Sequence, residues 1–365
     1  MPDATIGPVA ARRRRPSLRS ADDLIEAGLV APERRGEIAS VAARYAVALT
    51  PDIAGLIDRA DPADPIARQY VPSGAELETA PQERADPIGD DAHAPVKGIV
   101  HRYPDRALLL PLLHCPVYCR FCFRRERVGG DEGALSAAEL ESALDYIRAH
   151  VEIWEVVVTG GDPLMLPPAR IAALVRALDA IPHVATLRFH TRVPVSDPGR
   201  VTEALVASLA AETPVWIAVH CNHAREFSTA AAAACRRLTR AGIPLLGQSV
   251  LLAGVNDDGA TMEALMRAMV RNRIKPYYLH HPDLAPGTER FRVPIAKGRD
   301  IAKRLRGRAS GLCQPSYVLD IPGGFGKVPI GPTYLESDGA TRQRGADKYW
   351  IEDPWGGRHA YPPEG

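Results

Sequence analysis

No stretch of the 365-residue chain approaches the roughly 20 consecutive apolar residues that a bilayer-spanning helix needs, so no membrane association is expected. The arginines near the start are followed by no apolar segment, which excludes the pattern of a secretory leader. Excess charge is also lacking: 45 basic against 44 acidic residues leave a formal net charge of +1. A chain so balanced has no bulk electrostatic attraction for nucleic acid or for an anionic membrane surface. The one local exception is the run Arg12–Arg15. It reads as a solvated tail, with a basic arm for an RNA or an acidic partner as the alternative. Cysteine is scarce, six in the whole chain, and a chain of this length has no need of disulfide staples. What is present, 46% hydrophobic and 24% charged residues, is ordinary for a globular protein in water, and a cytoplasmic location is expected.

The first hundred residues read as helical and then irregular. Ser20 is placed to cap a helix over ADDLIEAGL, and a second helix is expected over PERRGEIASVAARYAVAL with Ile38, Val41, Ala42 and Tyr45 on one face. Between Asp58 and Lys97, proline, glycine and aspartate punctuate the chain, which predicts an extended segment wrapped around the rest. From RALLLPLL onward apolar strands alternate with helices: WEVVVTGGD, TLRFHTR, VWIAVHCN, LLGQSVLLA, KPYYLHH and SYVLDI are strands, and the segments between them are amphipathic. Ser136 and Glu139 form a capping box, and Gly242 is placed as a C-cap. Repeated strand–helix units of about 30 residues imply a parallel sheet with right-handed crossovers. The fold class is therefore α/β, a partial or complete (β/α) barrel with an N-terminal helical and extended appendage. An open doubly wound sheet is the alternative. The expected divisions are 1–97 for the appendage, 98–290 for the barrel core and 291–365 for a C-terminal helix, strand and tail. Function belongs at the C-terminal ends of the strands, where the polar motifs fall.

Three of the six cysteines crowd into CPVYCRFC, as Cys115, Cys119 and Cys122. Thiolates suit iron, and three from one loop hold three corners of a cubane cluster while the fourth iron stays open. A structural zinc site wants four protein ligands, commonly as paired C-x2-C units, and no second pair exists in this sequence. A second motif, Thr159, Gly160, Gly161 and Asp162, ends a strand some 40 residues later. Its glycines permit close backbone approach to a ligand, and a carboxylate suits an ammonium. A third, LDIPGGFGKVPIGP, places Lys327 behind a glycine-rich loop. Taken alone it reads as a flexible turn with a solvated lysine, or as a lysine able to form a Schiff base.

The C-x3-C-x2-C run with Phe121 before its last cysteine resembles the signature of radical S-adenosylmethionine (SAM) enzymes. The Lys327 segment closely resembles the pyridoxal phosphate (PLP) lysine of lysine 2,3-aminomutases. The resemblance runs from about Asp64 to Pro332. It implies a [4Fe-4S] cluster on Cys115, Cys119 and Cys122 and a SAM site at Thr159–Asp162, with PLP on Lys327. It also implies that Arg102 and Arg106, in HRYPDR, hold the PLP phosphate, and that His220 and Gln248 contact SAM or the cofactor. For substrate it implies Arg124 on the carboxylate of lysine and Asp283 with Asp320 on the distant ammonium. The implied reaction is isomerisation of L-lysine to β-lysine, with an electron donor such as flavodoxin or ferredoxin. Homo-oligomer assembly is left open. Longer relatives carry a cysteine cluster for zinc in a C-terminal extension, absent here, so no zinc is expected. In size the chain is similar to short aminomutases that serve modification of elongation factor P. Glutamate or ornithine as substrate, and an iron–sulfur carrier without catalysis, stand as rival readings.

Overall fold

The computed structural model describes residues 16–130, 133–337 and 349–361; the Arg12–Arg15 run lies outside them. A nine-stranded sheet carries the molecule, in the order β1 (Ile99–Tyr103), β2 (Arg106–Leu112), β3 (Glu155–Gly160), β4 (Thr186–Thr191), β5 (Val215–His220), β6 (Leu245–Val250), β7 (Ile274–His280), β8 (Ser316–Asp320) and β9 (Lys327–Pro329). Strands β2 to β8 run parallel, and β1 and β9 close the edges antiparallel. The ladder does not close, but side chains bridge its edges. The Lys327 amide of β9 donates to the Tyr103 hydroxyl of β1 at 2.7 Å, and Arg102 Nη1 lies 3.9 Å from Asp320 Oδ1. The α/β expectation thus holds in its partial form, an open half-barrel.

Alternation along the strands separates two environments. Leu187, Phe189, Ile217 and Val219 are fully buried against an outer layer of helices, which includes Ala137–Ala149, Pro168–Asp179, Thr229–Arg240, Gly259–Arg271 and Ile295–Leu305. Their neighbours Arg188, His190 and His220 face the lumen, where Arg188 pairs with Glu155 and His190 lies near Gln248 and His220. The Ser136–Glu139 capping box and a left-handed Gly242 beyond its helix are present as read from the sequence.

Two local expectations change, and the structure adds two features. The second N-terminal helix stops at Arg44, because Tyr45 turns extended and Leu49 pairs with Leu18. The segment expected to be extended contains a helix, Pro65–Tyr70, which Asp64 caps; its Ile66 and Tyr70 complete a small second core with Leu24, Ile38 and Ile53. HRYPDR is the turn of the β1–β2 hairpin, in which Tyr103 pairs with Arg106. β8, the expected SYVLDI strand, and β9, which carries Lys327, continue the sheet, and a separate three-stranded sheet, β10 (Leu335–Ser337), β11 (Tyr349–Glu352) and β12 (Arg358–Tyr361), follows it. Among the described residues no helix is long and apolar enough to cross a membrane.

Candidate active site at the strand ends

The loop after β2 carries the three cysteines. Cys115, Cys119 and Cys122 are part-buried and lie within electrostatic reach of one another. Burial raises all three thiols, Cys119 to about 11, while Arg192 opposes the rise. Such thiols ionise when a metal supplies positive charge, so the donor set fits iron. Among the described residues no three His, Cys, Asp or Glu side chains are drawn into a single-ion cage. A cubane does not require one, since each thiolate takes a different iron.

The end of β3 presses directly on this loop. A Cβ on Gly161 would lie 2.5 Å from the His114 carbonyl oxygen, and one on Gly160, at φ +105°, 2.7 Å from that of Leu112. Gly161 and Asp162 donate their amides to Leu112 and His114. Asp162 is buried and its oxygens are already engaged. Oδ1 accepts from the Leu164 amide and the Thr191 hydroxyl, and Oδ2 from the amides of Arg192 and Val193. The expected pairing of this carboxylate with an ammonium is therefore displaced: Asp162 fastens the β3 turn to the end of β4.

The lumen gathers the other predicted residues. Lys327 Nζ donates to Asp320 and lies 3.3 Å from His280 Nδ1 and 5.6 Å from the Tyr278 ring. Burial acts to raise Asp320, but His280 and Lys327 outweigh it and hold the carboxyl well below the usual range. Asp283, with no such partner, goes the other way. Burial and the neighbouring Asp320 charge raise it to about 7, against the pull of Lys327 and Arg124. Burial, then Arg192 and His280, push His220 down to about 3, which leaves it neutral. Gln248 is buried, with Nε2 3.4 Å from His190 Nε2.

The arginines are joined by a residue the sequence did not single out. Asp90, buried in the N-terminal wrap, accepts from Arg124 through Nε and Nη2 at 3.0 and 2.9 Å and from Arg102 Nη2 at 3.1 Å. Arg102 Nη2 also donates to Ile88 O at 2.6 Å, while its Nε is buried without a partner among the described residues. That orphaned donor, on an arginine 3.9 Å from the Asp320 that pairs with Lys327, suits an anionic group. Arg106 is bonded to Asp105 and stacked 3.8 Å from the Tyr103 centroid.

Tyr103, His190 and His280 also went unremarked as site residues. The usable signal was alternation: in RFH and YLH a polar residue follows an apolar one into the lumen.

The radical SAM superfamily model matches residues 110–265, and the lysine-2,3-aminomutase model matches residues 302–343. The L-lysine 2,3-aminomutase of Acetoanaerobium sticklandii is 43% identical over 291 residues, covering 80% of this chain and 70% of the relative. That of Clostridium subterminale is 42% identical over 291 residues, with the same coverage of 80% and 70%. The glutamate 2,3-aminomutase of Clostridioides difficile is 38% identical over 302 residues, covering 83% and 71%. With the cysteine loop, the glycine turn and Lys327 assembled around one lumen, these similarities place the chain in the lysine 2,3-aminomutase family of radical SAM enzymes.

Proposed function

We propose that the protein converts L-lysine to β-lysine by moving the α-amino group to the β-carbon. Membership of the family brings three groups to the site: a [4Fe-4S] cluster, SAM and PLP. When bound they supply one-electron cleavage of SAM and a ring that spreads an unpaired electron while nitrogen changes carbon. Cys115, Cys119 and Cys122 would hold the cluster. The backbone carbonyls of Thr159, Gly160 and Gly161 are the natural acceptors for the SAM ammonium, since Asp162 is engaged elsewhere. Lys327 would hold PLP, with Arg102 and Arg106 on its phosphate, and neutral His220 and Gln248 would line the space between the two cofactors.

The remaining work belongs to side chains that bind and orient substrate. Arg124 receives the α-carboxylate, and Asp90 fixes its planar fork in place. Asp283 and Asp320 receive the ε-ammonium. The bridge from Tyr103 to Lys327 and the His93 contact to Gly324 at 3.2 Å close the lumen at its edges. Closure of this kind keeps water from a radical site. A flavodoxin- or ferredoxin-type donor supplies the electron, in the cytoplasm.

The observation that carries lysine over glutamate is the carboxylate pair Asp283 and Asp320 facing the lumen beside Lys327. A substrate bearing a side-chain carboxylate would meet repulsion there. The test uses anaerobic, iron-reconstituted protein with PLP, SAM, dithionite and L-lysine, beside Lys327→Ala. The reading predicts β-lysine from the parent and none from the variant. Formation of deoxyadenosine and a β-amino acid from glutamate or ornithine, but not from lysine, would overturn the substrate assignment.

A further inference from the structure

The two histidines that end β7 and follow it have different surroundings. His281 turns outward and its Nδ1 contacts the Tyr317 hydroxyl at 2.8 Å. His280 turns into the lumen, its ring edge-on to Tyr278, with Nδ1 3.3 Å from Lys327 Nζ and 3.9 Å from Asp320 Oδ2. An ammonium only donates and a carboxylate only accepts. Nδ1 is within hydrogen-bond distance of the ammonium, whereas the carboxylate, at 3.9 Å, is beyond it. Nδ1 is therefore the acceptor, and a neutral ring carries its proton on Nε2. Nε2 is buried and has no partner among the described residues. A buried donor left unpaired is costly unless a ligand completes it. The geometry points to His280 as a further catalytic residue: Nδ1 exchanges a proton with the Lys327 nitrogen, and Nε2–H donates to an oxygen on the ring of the carbonyl cofactor that Lys327 captures. The inference rests on the PLP assignment made above and adds a residue to it.

The charges around His280 suit a group that changes role. They come from Tyr278 on its own strand, His190 of β4, His220 of β5, Asp320 of β8 and Lys327 of β9, with Asp283 and Arg124 acting in turn around Asp320 and Lys327. Burial and then the Lys327 ammonium lower His280 to about 4, and Asp320 acts in the opposite direction. While Lys327 is charged, His280 stays neutral and accepts its hydrogen bond. When Lys327 is joined to a carbonyl carbon that charge is gone, Asp320 dominates, and Nδ1 becomes a better base. Exchange of one amine for another then balances. A C–N bond forms to the incoming amine and the bond to Lys327 breaks. Two protons pass in turn from the incoming nitrogen through Nδ1 to the departing Lys327 nitrogen, one as each C–N bond changes, with no net change in electrons.

The test compares His280→Gln and His280→Phe with the parent, all loaded with PLP, and Lys327→Ala as the control without the linkage. Stopped-flow absorbance of the PLP chromophore follows exchange with L-lysine and, separately, with methylamine. Borohydride reduction and peptide mapping confirm loading on Lys327. The inference predicts full loading in the parent and His280→Gln. It predicts exchange slowed at least tenfold in His280→Phe with both amines, and less in His280→Gln, whose amide retains an acceptor and a donor. Exchange within twofold of the parent in both variants would overturn it. Should the parent exchange with methylamine but not with lysine, the substrate reading fails while the methylamine rates still decide the role of His280. Should His280→Phe not load, His280→Gln decides: a rate within twofold of the parent rejects the inference and a measurable slowing supports it.

Discussion

Asp283 and Asp320 are both aspartates at strand ends, yet their surroundings drive them apart. Asp320 has the Lys327 ammonium and stays ionised, whereas Asp283 is raised to about 7 by burial and by Asp320 itself. An ammonium arriving from substrate is the partner Asp283 lacks. Because the ionised form pairs with that ammonium and exists above its pKa, lysine binding should tighten as pH rises through about 7. In Asp283→Asn the KM for lysine should rise roughly tenfold or more and lose that inflection, with kcat less affected; a KM–pH profile of the variant matching the parent's would remove Asp283 from the ammonium site. The sign for stability is opposite. A carboxyl whose folded pKa lies above its unfolded value costs stability once pH exceeds the unfolded value. The ligand-free Asp283→Asn protein should therefore melt higher than the parent at pH 8, by roughly 1–2 °C per kcal/mol recovered, and no higher at pH 4. Differential scanning at the two pH values reads both arms.

At the scale of elements, the β3 turn and the cysteine loop are one construction, because the glycines let two backbones touch. Gly161→Ala forces a Cβ to within 2.5 Å of the His114 backbone, and backbone cannot step aside as a flexible side chain can. SAM affinity should fall at least tenfold and iron content should drop, measured by isothermal titration and by iron analysis. Gly311→Ala, where a Cβ meets nothing within 4 Å, should change neither. These elements were legible in the sequence because their chemistry is local: three thiols in eight positions, two glycines and an aspartate after an apolar strand, a lysine behind glycines. What was not legible is assembled across the lumen. His190 and His280 lie on strands separated by β5 and β6, and alternation tells which face each takes but not which neighbours it meets there. Asp90 reaches Arg124 from 34 residues away, in a segment with no periodicity to read. Asp162 was legible as a residue, but not in its role, since its four donors come from its own turn and from the far end of β4. Of the β1–β2 hairpin only β2 was legible, as the apolar run RALLLPLL, because β1 (Ile99–Tyr103) is five residues of mixed polarity with no run or alternation to read.

At the scale of the whole molecule, the sheet and its helices share one large apolar core, and the N-terminal wrap, with its smaller core, is tied to the site by buried ion pairs. The N-terminal wrap sends Glu76 inward, fully buried, to Arg120 of the cysteine loop through contacts of 2.6 to 3.1 Å, to Arg125, and to Arg290 at 3.3 Å. A second anchor joins Tyr70 of the wrap to Glu226 at 3.0 Å, and Glu226 to Arg192 at 2.9 Å. The wrap therefore fixes the loop that carries Cys119 and Cys122 from outside the sheet, without contributing a ligand. Burial alone would raise Glu76, but Arg120, Arg125 and Arg290 together hold it below the ordinary value. A depressed carboxylate stabilises above its unfolded pKa and loses that contribution as pH falls through the folded one, so the clamp is fully formed at neutral pH. Glu76→Gln keeps the shape but leaves three guanidinium groups facing one another without a counter-charge. Breaking one side of a buried ion pair costs about 3–5 kcal/mol, which should lower the melting temperature by roughly 5 °C. Iron retained after reconstitution should fall with it although every cysteine is intact, and Glu76→Asp, which keeps the charge, should recover part of both. A cluster held at full stoichiometry in Glu76→Gln would mean that the cysteine loop keeps its own shape and that the wrap only covers it.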